Sequence, residues 1–280
     1  MHSRKTEIPL PRTLSYGWVS LAATDRVSVP ILSELIPQGI RPATIFLVEF
    51  DPESQWFAVA ATMVSEVLKN GGNVAVNAVA RPPEDIEKDL SSLGVDVEAA
   101  FKDGRLAIND WYTATLSGGR AEPFPPGAKP FEETPKGTKW LSLKVQDLSV
   151  EFLKDSKMSR ASSRIYRATW PAGTLNVADS FSALLRFNDE KSSADYFESR
   201  VYTEQRKAQR ITLFPFVRGL HGDWFYKRME SASDGVIDIR IAEQDDRVKS
   251  VLRVRSLRGQ PHDSAWHEIE VKPNGEAKLV

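Results

Sequence analysis

The stretch Thr44-Ile45-Phe46-Leu47-Val48-Glu49-Phe50 decides the fold, because it is a short apolar run rich in β-forming residues. Such a run is typical of a parallel strand that is buried on both faces. The next segment predicts a helix that ends at Asn70-Gly71-Gly72, because its apolar side chains recur at three- and four-residue spacing. These side chains belong to Trp56, Val59, Ala60, Met63, Val64 and Val67. A buried strand followed directly by an amphipathic helix indicates a βαβ unit.

Alternating strand and helix signals continue along the chain beyond this unit. The further strands are expected at 73–79, 105–109, 173–178 and 211–217. The further helices are expected at 84–93, 141–158 and 192–208. Strands separated by helices of this length predict a parallel sheet of the α/β class.

Two segments depart from this alternation. Residues 117–139 are rich in glycine and proline and predict a long surface loop within one domain that spans 1–280. Residues 235–280 predict an antiparallel C-terminal β extension, because 236–241 and 248–257 both alternate with period two. A turn is expected at Asp245-Asp246, and a third strand at 266–271.

Composition excludes several classes of function. The chain has 280 residues, no cysteine and a formal net charge of −1. Disulfides and thiolate chemistry are therefore excluded, and a globally basic nucleic-acid binder is not indicated. No apolar run approaches the roughly 18 residues that span a bilayer. We therefore expect a cytoplasmic protein without a membrane partner.

Four phrases in order resemble the KaiC-like branch of the RecA superfamily. They are Ser91–Asp96 followed by Gly104-Arg105-Leu106, Asp179-Ser180, Ala232–Asp238 and Arg258–Asp263. The resemblance implies a RecA-like three-layer α/β core with a mostly parallel central sheet and antiparallel C-terminal strands. It also implies ATP with Mg²⁺ as ligands and assembly with RecA/KaiC-like subunits into a homo- or hetero-oligomer.

The resemblance places the phosphate-binding loop at Phe50–Phe57, where the sequence lacks the residues of that motif. A working loop reads G-x-x-x-x-G-K-[ST], with glycines that wrap the phosphate and a lysine that neutralises it. In this chain Trp56 stands at the lysine position and Phe57 at the hydroxyl position, and neither glycine is present. The degenerate loop comprises Asp51, Pro52, Glu53, Ser54, Gln55, Trp56 and Phe57.

The replacements oppose phosphate binding and also suit an ordinary helix start. Pro52 removes a backbone donor, and a carboxylate such as Asp51 or Glu53 about 5 Å from a phosphate charge costs roughly 3 kcal/mol. Asp51 is expected to be the N-cap of the following helix, with Pro52 at its first position. A non-standard ligand site at this loop is the alternative.

Two further positions bear on catalysis. The acidic pair that orients water in hydrolysing relatives is replaced by Ala80-Arg81, and neither residue can act as a base. Asp179 and Ser180 stand where the resemblance implies a Walker B pair. Asp179 is interpreted either as a helix cap or as a residual metal or nucleotide contact.

The C-terminal strands carry candidate cations. The resemblance implies that Arg258 contacts the nucleotide of a neighbouring subunit, although Ser256 replaces the first cation of that motif. Alternation places Arg253 and Arg255 on one face of a strand. These cations either belong to a solvated face with balancing acids, or Arg255 and Arg258 reach a paralogue's nucleotide or a nucleic acid.

Metal and serine hydrolase chemistry are not supported by the sequence. His262, Asp263 and His267 could suggest a metal site. The two histidines are five residues apart across a turn into a strand, and no third ligand is evident, so no metal site is predicted. No G-x-S-x-G elbow occurs.

The sequence therefore predicts a catalytically inactive homologue, with no catalytic residues and no cofactor, that serves as a regulatory or scaffold subunit through oligomer contacts. The alternative is an ATPase with a non-standard site that binds ATP and Mg²⁺ weakly, linked to DNA recombination, repair or signalling. Nucleic-acid binding through the basic hairpin is a third, less favoured hypothesis.

Overall fold

The computed structural model describes residues 26–116, 131–132, 144–145, 148–150, 171–244 and 247–280. The strands in these ranges are β1 (Ile45–Phe50), β2 (Val74–Ala78), β3 (Leu106–Asp110), β4 (Phe131–Glu132), β5 (Lys144–Val145), β6 (Leu175–Ala178), β7 (Ile211–Val217), β8 (Gly235–Gln244), β9 (Arg247–Leu257), β10 (His267–Val271) and β11 (Ala277–Leu279). The helices are α1 (Leu32–Leu35), α2 (Trp56–Lys69), α3 (Pro83–Ser92), α4 (Val97–Lys102), α5 (Tyr112–Leu116), α6 (Glu190–Tyr196), α7 (Thr203–Lys207) and α8 (Asp223–Ala232). A 3₁₀ helix covers Phe181–Arg186, and a π-helical segment, Phe197–Tyr202, joins α6 to α7.

All strands of the described ranges form one sheet, in the order β11-β10-β9-β8-β1-β7-β6-β2-β3-β5-β4. From β8 to β5 every neighbouring pair is parallel. The pairs β8–β9, β9–β10 and β10–β11 are antiparallel, as is β4–β5 at the other edge. The predicted mostly parallel sheet with antiparallel C-terminal strands is confirmed.

Strand β1 is central and is buried along its whole length. Its side chains alternate between two hydrophobic layers, because successive residues of a strand point to opposite faces. Phe46, Val48 and Phe50 pack in the layer that contains α2, α3 and α4. Ile45 and Leu47 pack in the opposite layer, which contains the π-helical segment and α8. The sheet therefore lies between two helical layers, as the three-layer expectation requires.

The predicted elements of the first half agree with the structure to within a residue or two, whereas several short elements were not predicted. Helix α4 and strand β11 are too short to leave a clear periodicity. Helix α8 was not predicted, although its buried residues Phe225, Tyr226 and Met229 lie at three- and four-residue spacing.

Two predictions about the second half need correction. The helix expected at 141–158 is wrong at 144–145, which form strand β5, and most of that segment lies outside the described residues. Within the expected loop 117–139, residues 131–132 form β4, and the others again lie outside the described ranges.

Strand β8 is not part of an antiparallel extension alone, because it pairs in parallel with β1. It therefore belongs to the central sheet, and the purely antiparallel part begins at β9. The expected turn at Asp245-Asp246 lies outside the described residues. In the part of the chain that the structure describes, no helix is long and apolar enough to cross a membrane.

Candidate functional site

The loop of residues 51–55 follows the carboxyl end of β1, which is where ligands bind in open α/β sheets. Helix α2 begins only at Trp56, and its N-cap residue Gln55 makes no side-chain capping bond. The prediction that Asp51 caps this helix with Pro52 in its first turn is therefore wrong.

Asp51 extends the pairing of the sheet instead of capping the helix. Its backbone N–H donates to the Ile239 carbonyl at 3.0 Å, and its Oδ2 accepts from the Ile241 N–H at 2.9 Å. The carboxylate thus satisfies a donor of β8 beyond the point where β1 ends. Sequence reasoning missed this role because it requires knowledge that β8 is the neighbour of β1.

The rest of the loop is held by short contacts to itself and to β9. Ser54 donates to the Asp51 carbonyl through its N–H at 2.9 Å and its hydroxyl at 2.7 Å. The Gln55 N–H donates to Ser250 Oγ on β9 at 3.2 Å. The β8–β9 hairpin is therefore bonded to both ends of the loop.

Trp56 occupies the position that the resemblance assigns to a lysine, and it is completely buried. Its indole N–H donates to the Asp179 carbonyl at 2.6 Å, and its ring lies 5.9 Å from that of Phe50. The indole therefore links the start of α2 to the end of β6 through an apolar ring.

Asp179 is a buried carboxylate that accepts hydrogen bonds from backbone donors of the described residues. Its Oδ1 accepts from the N–H groups of Val79, Ala80 and Ser180 at 2.6–3.0 Å, and its Oδ2 accepts from those of Ala80 and Arg81 at 2.7–2.9 Å. Burial raises the pKa of Asp179, and the backbone hydrogen bonds oppose that shift.

This geometry gives Asp179 a structural task. Both of its oxygens are used to fix the turn after β2 to the end of β6. Three of its donors belong to this turn and only Ser180 begins the following 3₁₀ helix, so it is more a turn anchor than the helix cap considered from sequence. The Ser180 hydroxyl is buried and has no hydrogen-bond partner among the described residues.

The Ala80-Arg81 pair lies on the turn that Asp179 anchors. The Arg81 guanidinium stacks 4.4 Å from the centre of the Phe57 ring and forms a 2.8 Å ion pair with Asp89. A cavity lined by Phe57, Arg81 and Asp179 has a volume of about 20 Å³, which is room for one water molecule.

A buried network of charges lies beside the loop, on the face of the sheet that packs against α8. Glu49 on β1 and Asp238 on β8 are almost fully buried, and Arg240 contacts both, at 3.4 and 2.9 Å. Burial raises the pKa of Glu49, while the charge of Arg255 opposes the shift. The sequence signal for this network was a glutamate inside an otherwise apolar strand, and it was not used.

The predicted common face of Arg253 and Arg255 is confirmed, because both guanidinium groups reach Asp238, at 2.9 and 3.7 Å. Arg255 Nη2 also binds Glu49 at 2.7 Å and Glu230 at 2.6 Å. Arg255 is therefore committed to carboxylates of its own chain, which agrees with the reading of balancing acids.

Arg258 lies far from the loop, near the start of β1. Its backbone N–H donates to the Asp234 carbonyl, and the Asp234 N–H donates to the Ile45 carbonyl. Its exposed side chain donates to the Ser231 carbonyl at 2.6 Å. Arg258 therefore lies near the amino end of β1, whereas the loop 51–55 follows its carboxyl end.

The structure brings together one set of groups that sequence reasoning missed. Ser182 Oγ lies 2.8 Å from His221 Nε2, and Glu190 Oε1 lies 3.8 Å from His221 Nδ1. Ser182 is only 3% exposed and also accepts the Val217 N–H at 2.9 Å, so it is not placed to attack a substrate. Burial lowers the pKa of His221. The three groups lie on separate elements, so their spacing carried no signal.

The residues considered for a metal do not converge on one point. His267 Nε2 lies 3.0 Å from Asp263 Oδ2, whereas His262 Nδ1 bonds to the Gln260 carbonyl. Among the described ranges, no group of three or more potential ligands could hold a metal ion.

The chain is similar in structure to the KaiC-like protein PH0186 from the hyperthermophilic archaeon Pyrococcus horikoshii OT3. The TM-score is 0.65 at 19% sequence identity, and the match covers 91% of this chain and 98% of that chain. No protein-family model and no curated protein matches the sequence. The fold of this chain is therefore the KaiC-like form of the RecA fold.

Proposed function

We propose that this chain is a non-hydrolysing relative of the KaiC-like ATPases that acts as a regulatory or scaffold subunit. Its role is exerted through contacts with RecA/KaiC-like subunits in a homo- or hetero-oligomer. The observation that carries the proposal is the buried Trp56 indole bonded to the Asp179 carbonyl, at the position where a nucleotide-binding relative needs a lysine.

Electrostatics at the loop also support the proposal. Asp51 and Glu53 bring carboxylates to the region that a triphosphate would occupy, and the nearest cation, Arg218, lies 3.7 Å from Asp51. A carboxylate about 5 Å from a phosphate charge costs roughly 3 kcal/mol at an effective dielectric constant of about 20. The loop contains no glycine that would let backbone donors wrap a phosphate.

The groups that a hydrolytic reaction needs are used for other purposes. The Asp179 oxygens are filled by backbone donors, so the carboxylate has little capacity left for a hydrated Mg²⁺. Arg81 cannot abstract a proton from water, and Ala80 has no functional group. These residues support a KaiC-like fold that is retained for assembly.

Arg258 is the cation of the C-terminal strands that best fits a role between subunits. Its side chain is exposed and bonds to a carbonyl oxygen rather than a carboxylate, whereas Arg255 is held by Glu49 and Glu230. In an assembly with an active paralogue, Arg258 would face the neighbour while the loop of this chain remains closed.

The experiment that tests lost nucleotide chemistry is a calorimetric titration of the full chain with ATP and Mg²⁺, paired with a phosphate-release assay. We expect no ATP turnover. We also expect that any ATP binding is unchanged by Trp56→Phe or by other substitutions in residues 51–57. Micromolar binding that depends on the loop, together with turnover, would establish the alternative of a non-standard ATPase.

The scaffold role is tested by the mass of the protein in solution. Light scattering should show self-association, or association with a KaiC-like subunit recovered from the same cells. A strict monomer that forms no complex with such a subunit would contradict the proposal.

A further inference from the structure

The sequence contains two Asn-Gly pairs, Asn70-Gly71 and Asn274-Gly275, and both asparagines are exposed. Asparagine before glycine is chemically labile, because the nitrogen of a residue without a side chain can reach the side-chain carbon of the asparagine. The reaction needs an asparagine amide that is free to turn and a glycine N–H that can leave its hydrogen bond. The two pairs differ in both respects.

The Asn274 pair is held in the tight turn between β10 and β11. Asn274 Oδ1 accepts from the Glu276 N–H at 3.2 Å, and the Gly275 N–H donates to the Lys272 carbonyl at 2.8 Å. The Lys272 N–H donates in turn to the Glu276 carbonyl at 2.9 Å, which closes the turn. The side-chain amide and the glycine nitrogen of this pair are therefore both engaged.

The Asn70 pair lies at the end of α2, where the backbone forms a Schellman motif. The Gly71 N–H donates to the Leu68 carbonyl at 3.0 Å, and the Gly72 N–H donates to the Val67 carbonyl at 2.8 Å. Within the described ranges, the Asn70 side chain has no hydrogen-bond partner. Its amide is therefore free to turn towards the Gly71 nitrogen.

The acceptor of the Gly71 N–H does not depend on this hydrogen bond. The Leu68 carbonyl also accepts from Arg105 Nη1 at 2.7 Å, so it keeps a charged donor when the Gly71 N–H leaves. Gly71 is exposed, so water can replace the carbonyl as the partner of its N–H. Opening this turn therefore costs little free energy, as at other exposed helix ends.

We propose that Asn70 is a site of spontaneous deamidation in the folded chain, with water as the co-reactant. The Gly71 nitrogen attacks Asn70 Cγ, and the new C–N bond closes a cyclic imide. The bond from Cγ to the side-chain nitrogen breaks, and this nitrogen leaves as ammonia with the proton from the Gly71 N–H. Water then opens the imide at either of its carbonyls, which yields aspartate or isoaspartate at position 70. The loop 51–57 takes no part in these steps, so this inference does not rest on the proposed function.

The two products should affect the end of α2 differently. Isoaspartate adds a carbon to the backbone inside the ring that the Gly72 N–H and the Val67 carbonyl close. Gly72 has little room to shift, since a Cβ at this position would lie 2.6 Å from Val67 Cγ1. Aspartate leaves the backbone unchanged and adds only a negative charge at the carboxyl end of the helix dipole. Isoaspartate is therefore the product that should destabilise α2 more.

The test follows both asparagines while the folded full chain ages in warm, mildly alkaline buffer. Mass spectrometry of tryptic peptides detects the replacement of an amide by a carboxyl group at each asparagine. We expect Asn70 to convert several-fold faster than Asn274 in the folded chain. In urea the two rates should approach each other, because the local sequences alone then set them. The proposal is overturned if Asn70 stays unmodified, if both convert equally fast in the folded chain, or if urea leaves the ratio unchanged.

Two variants test the consequence for α2. Asn70→Gln removes the labile pair, so its urea midpoint should stay constant during ageing while that of the unaltered protein falls. Asn70→Asp carries the charge without the added backbone carbon, so its midpoint should lie above that of the fraction with isoaspartate. Endoproteinase Asp-N identifies this fraction, because it cuts before aspartate and not before isoaspartate. An equal fall in the aged Asn70→Gln variant would show that Asn70 does not cause the loss of stability.

Discussion

Asp179 shows at the scale of one residue how a buried carboxylate serves a structural purpose. A Walker B carboxylate needs a free oxygen near the metal, whereas both oxygens of Asp179 receive backbone N–H groups. Four separate N–H groups converge on one buried side chain, so both of its oxygens serve as hydrogen-bond acceptors.

Asp179→Asn is expected to lower the free energy of unfolding by about 2–4 kcal/mol, because the amide nitrogen would face N–H donors and leave one of them without an acceptor. Urea unfolding measures the change. Asp189→Asn is the control. Asp189 is the exposed N-cap of α6, where its side chain accepts from the Ser192 N–H, and this change should cost less than about 1 kcal/mol. Equal losses in the two variants would contradict a special role for Asp179.

His221 is the residue whose ionisation should affect stability near neutral pH. Burial lowers its pKa in the folded state, so the unfolded chain binds more protons just below its ordinary pKa of about 6.5. Stability is therefore fully present above that pH and is lost as the pH falls towards the folded pKa.

We expect the urea midpoint to decrease between about pH 6.5 and 5 in the unaltered protein, and to decrease less in His221→Gln. The difference between the two curves isolates this histidine from other titrating groups. His262→Gln, which changes a partly exposed histidine outside the hydrophobic core, provides the comparison. Parallel curves for the unaltered protein and His221→Gln would show that His221 does not contribute.

At the scale of elements, the loop 51–55 and the β8–β9 hairpin form one unit. Asp51 bonds to two residues of β8, and Gln55 bonds to Ser250 of β9. Helix α2 starts after this unit rather than inside it. Changing the loop therefore disturbs the hairpin and the buried Trp56 at the same time.

The double change Gln55→Gly and Trp56→Lys, made without altering Ala80 and Arg81, should not produce ATP hydrolysis. It restores a glycine and a lysine to the motif, but it leaves no base for the attacking water and loses the buried indole. We expect a stability loss of about 3–5 kcal/mol from the lost side chain. Phosphate release measures activity and circular dichroism measures folding.

Trp56→Phe is the matched variant for this experiment, since it keeps an aromatic ring but loses the hydrogen bond to the Asp179 carbonyl and part of the buried ring volume. It should cost roughly 1–2 kcal/mol and should also lack turnover. Turnover in the folded double variant above the level of the unaltered protein would show that the Ala80-Arg81 pair is not the obstacle.

At the scale of the whole molecule, one sheet connects both hydrophobic layers. Strand β1 contributes side chains to each layer and pairs with β7 and β8, which come from the second half of the chain. Neither half can bury its strands without the other. This topology argues for one cooperative unit over the described residues.

Urea unfolding should therefore give coincident transitions by tryptophan fluorescence and by far-UV circular dichroism. Trp56 reports on the centre of the fold, where it is fully buried. Two separated transitions would show that the halves unfold independently and would contradict a single domain.

Much of the fold could be predicted because its signals are local. The apolar run at 44–50 and the helical spacing from Trp56 to Val67 are properties of adjacent residues, and both elements occur where expected. Strand β5 was missed because two residues are too few to show a periodicity, and its structure depends on neighbours that are distant in the chain. Helix α8 was missed although its buried Phe225, Tyr226 and Met229 lie at three- and four-residue spacing.

The site was less predictable for the same reason. The absence of glycine and lysine from residues 50–57 is visible in the sequence, but the actual partner of Asp51 is not. The carboxylate of Asp51 can accept a hydrogen bond from a helix N–H or from any other donor nearby. In the structure it accepts from the Ile241 N–H of β8 instead of capping α2. The pairing of Ser182 with His221 likewise depends on chain segments that meet only in the folded state.

The sequence by itself therefore determined the α/β class, the order of the main strands and helices, and the absence of a standard phosphate-binding motif, because these follow from residue types at short spacing. Only the tertiary structure decided that Asp51 completes β8, that Asp179 anchors a turn, and that Arg255 is neutralised within the chain. Each of these depends on strand order and side-chain direction, which bring together residues that are far apart in sequence.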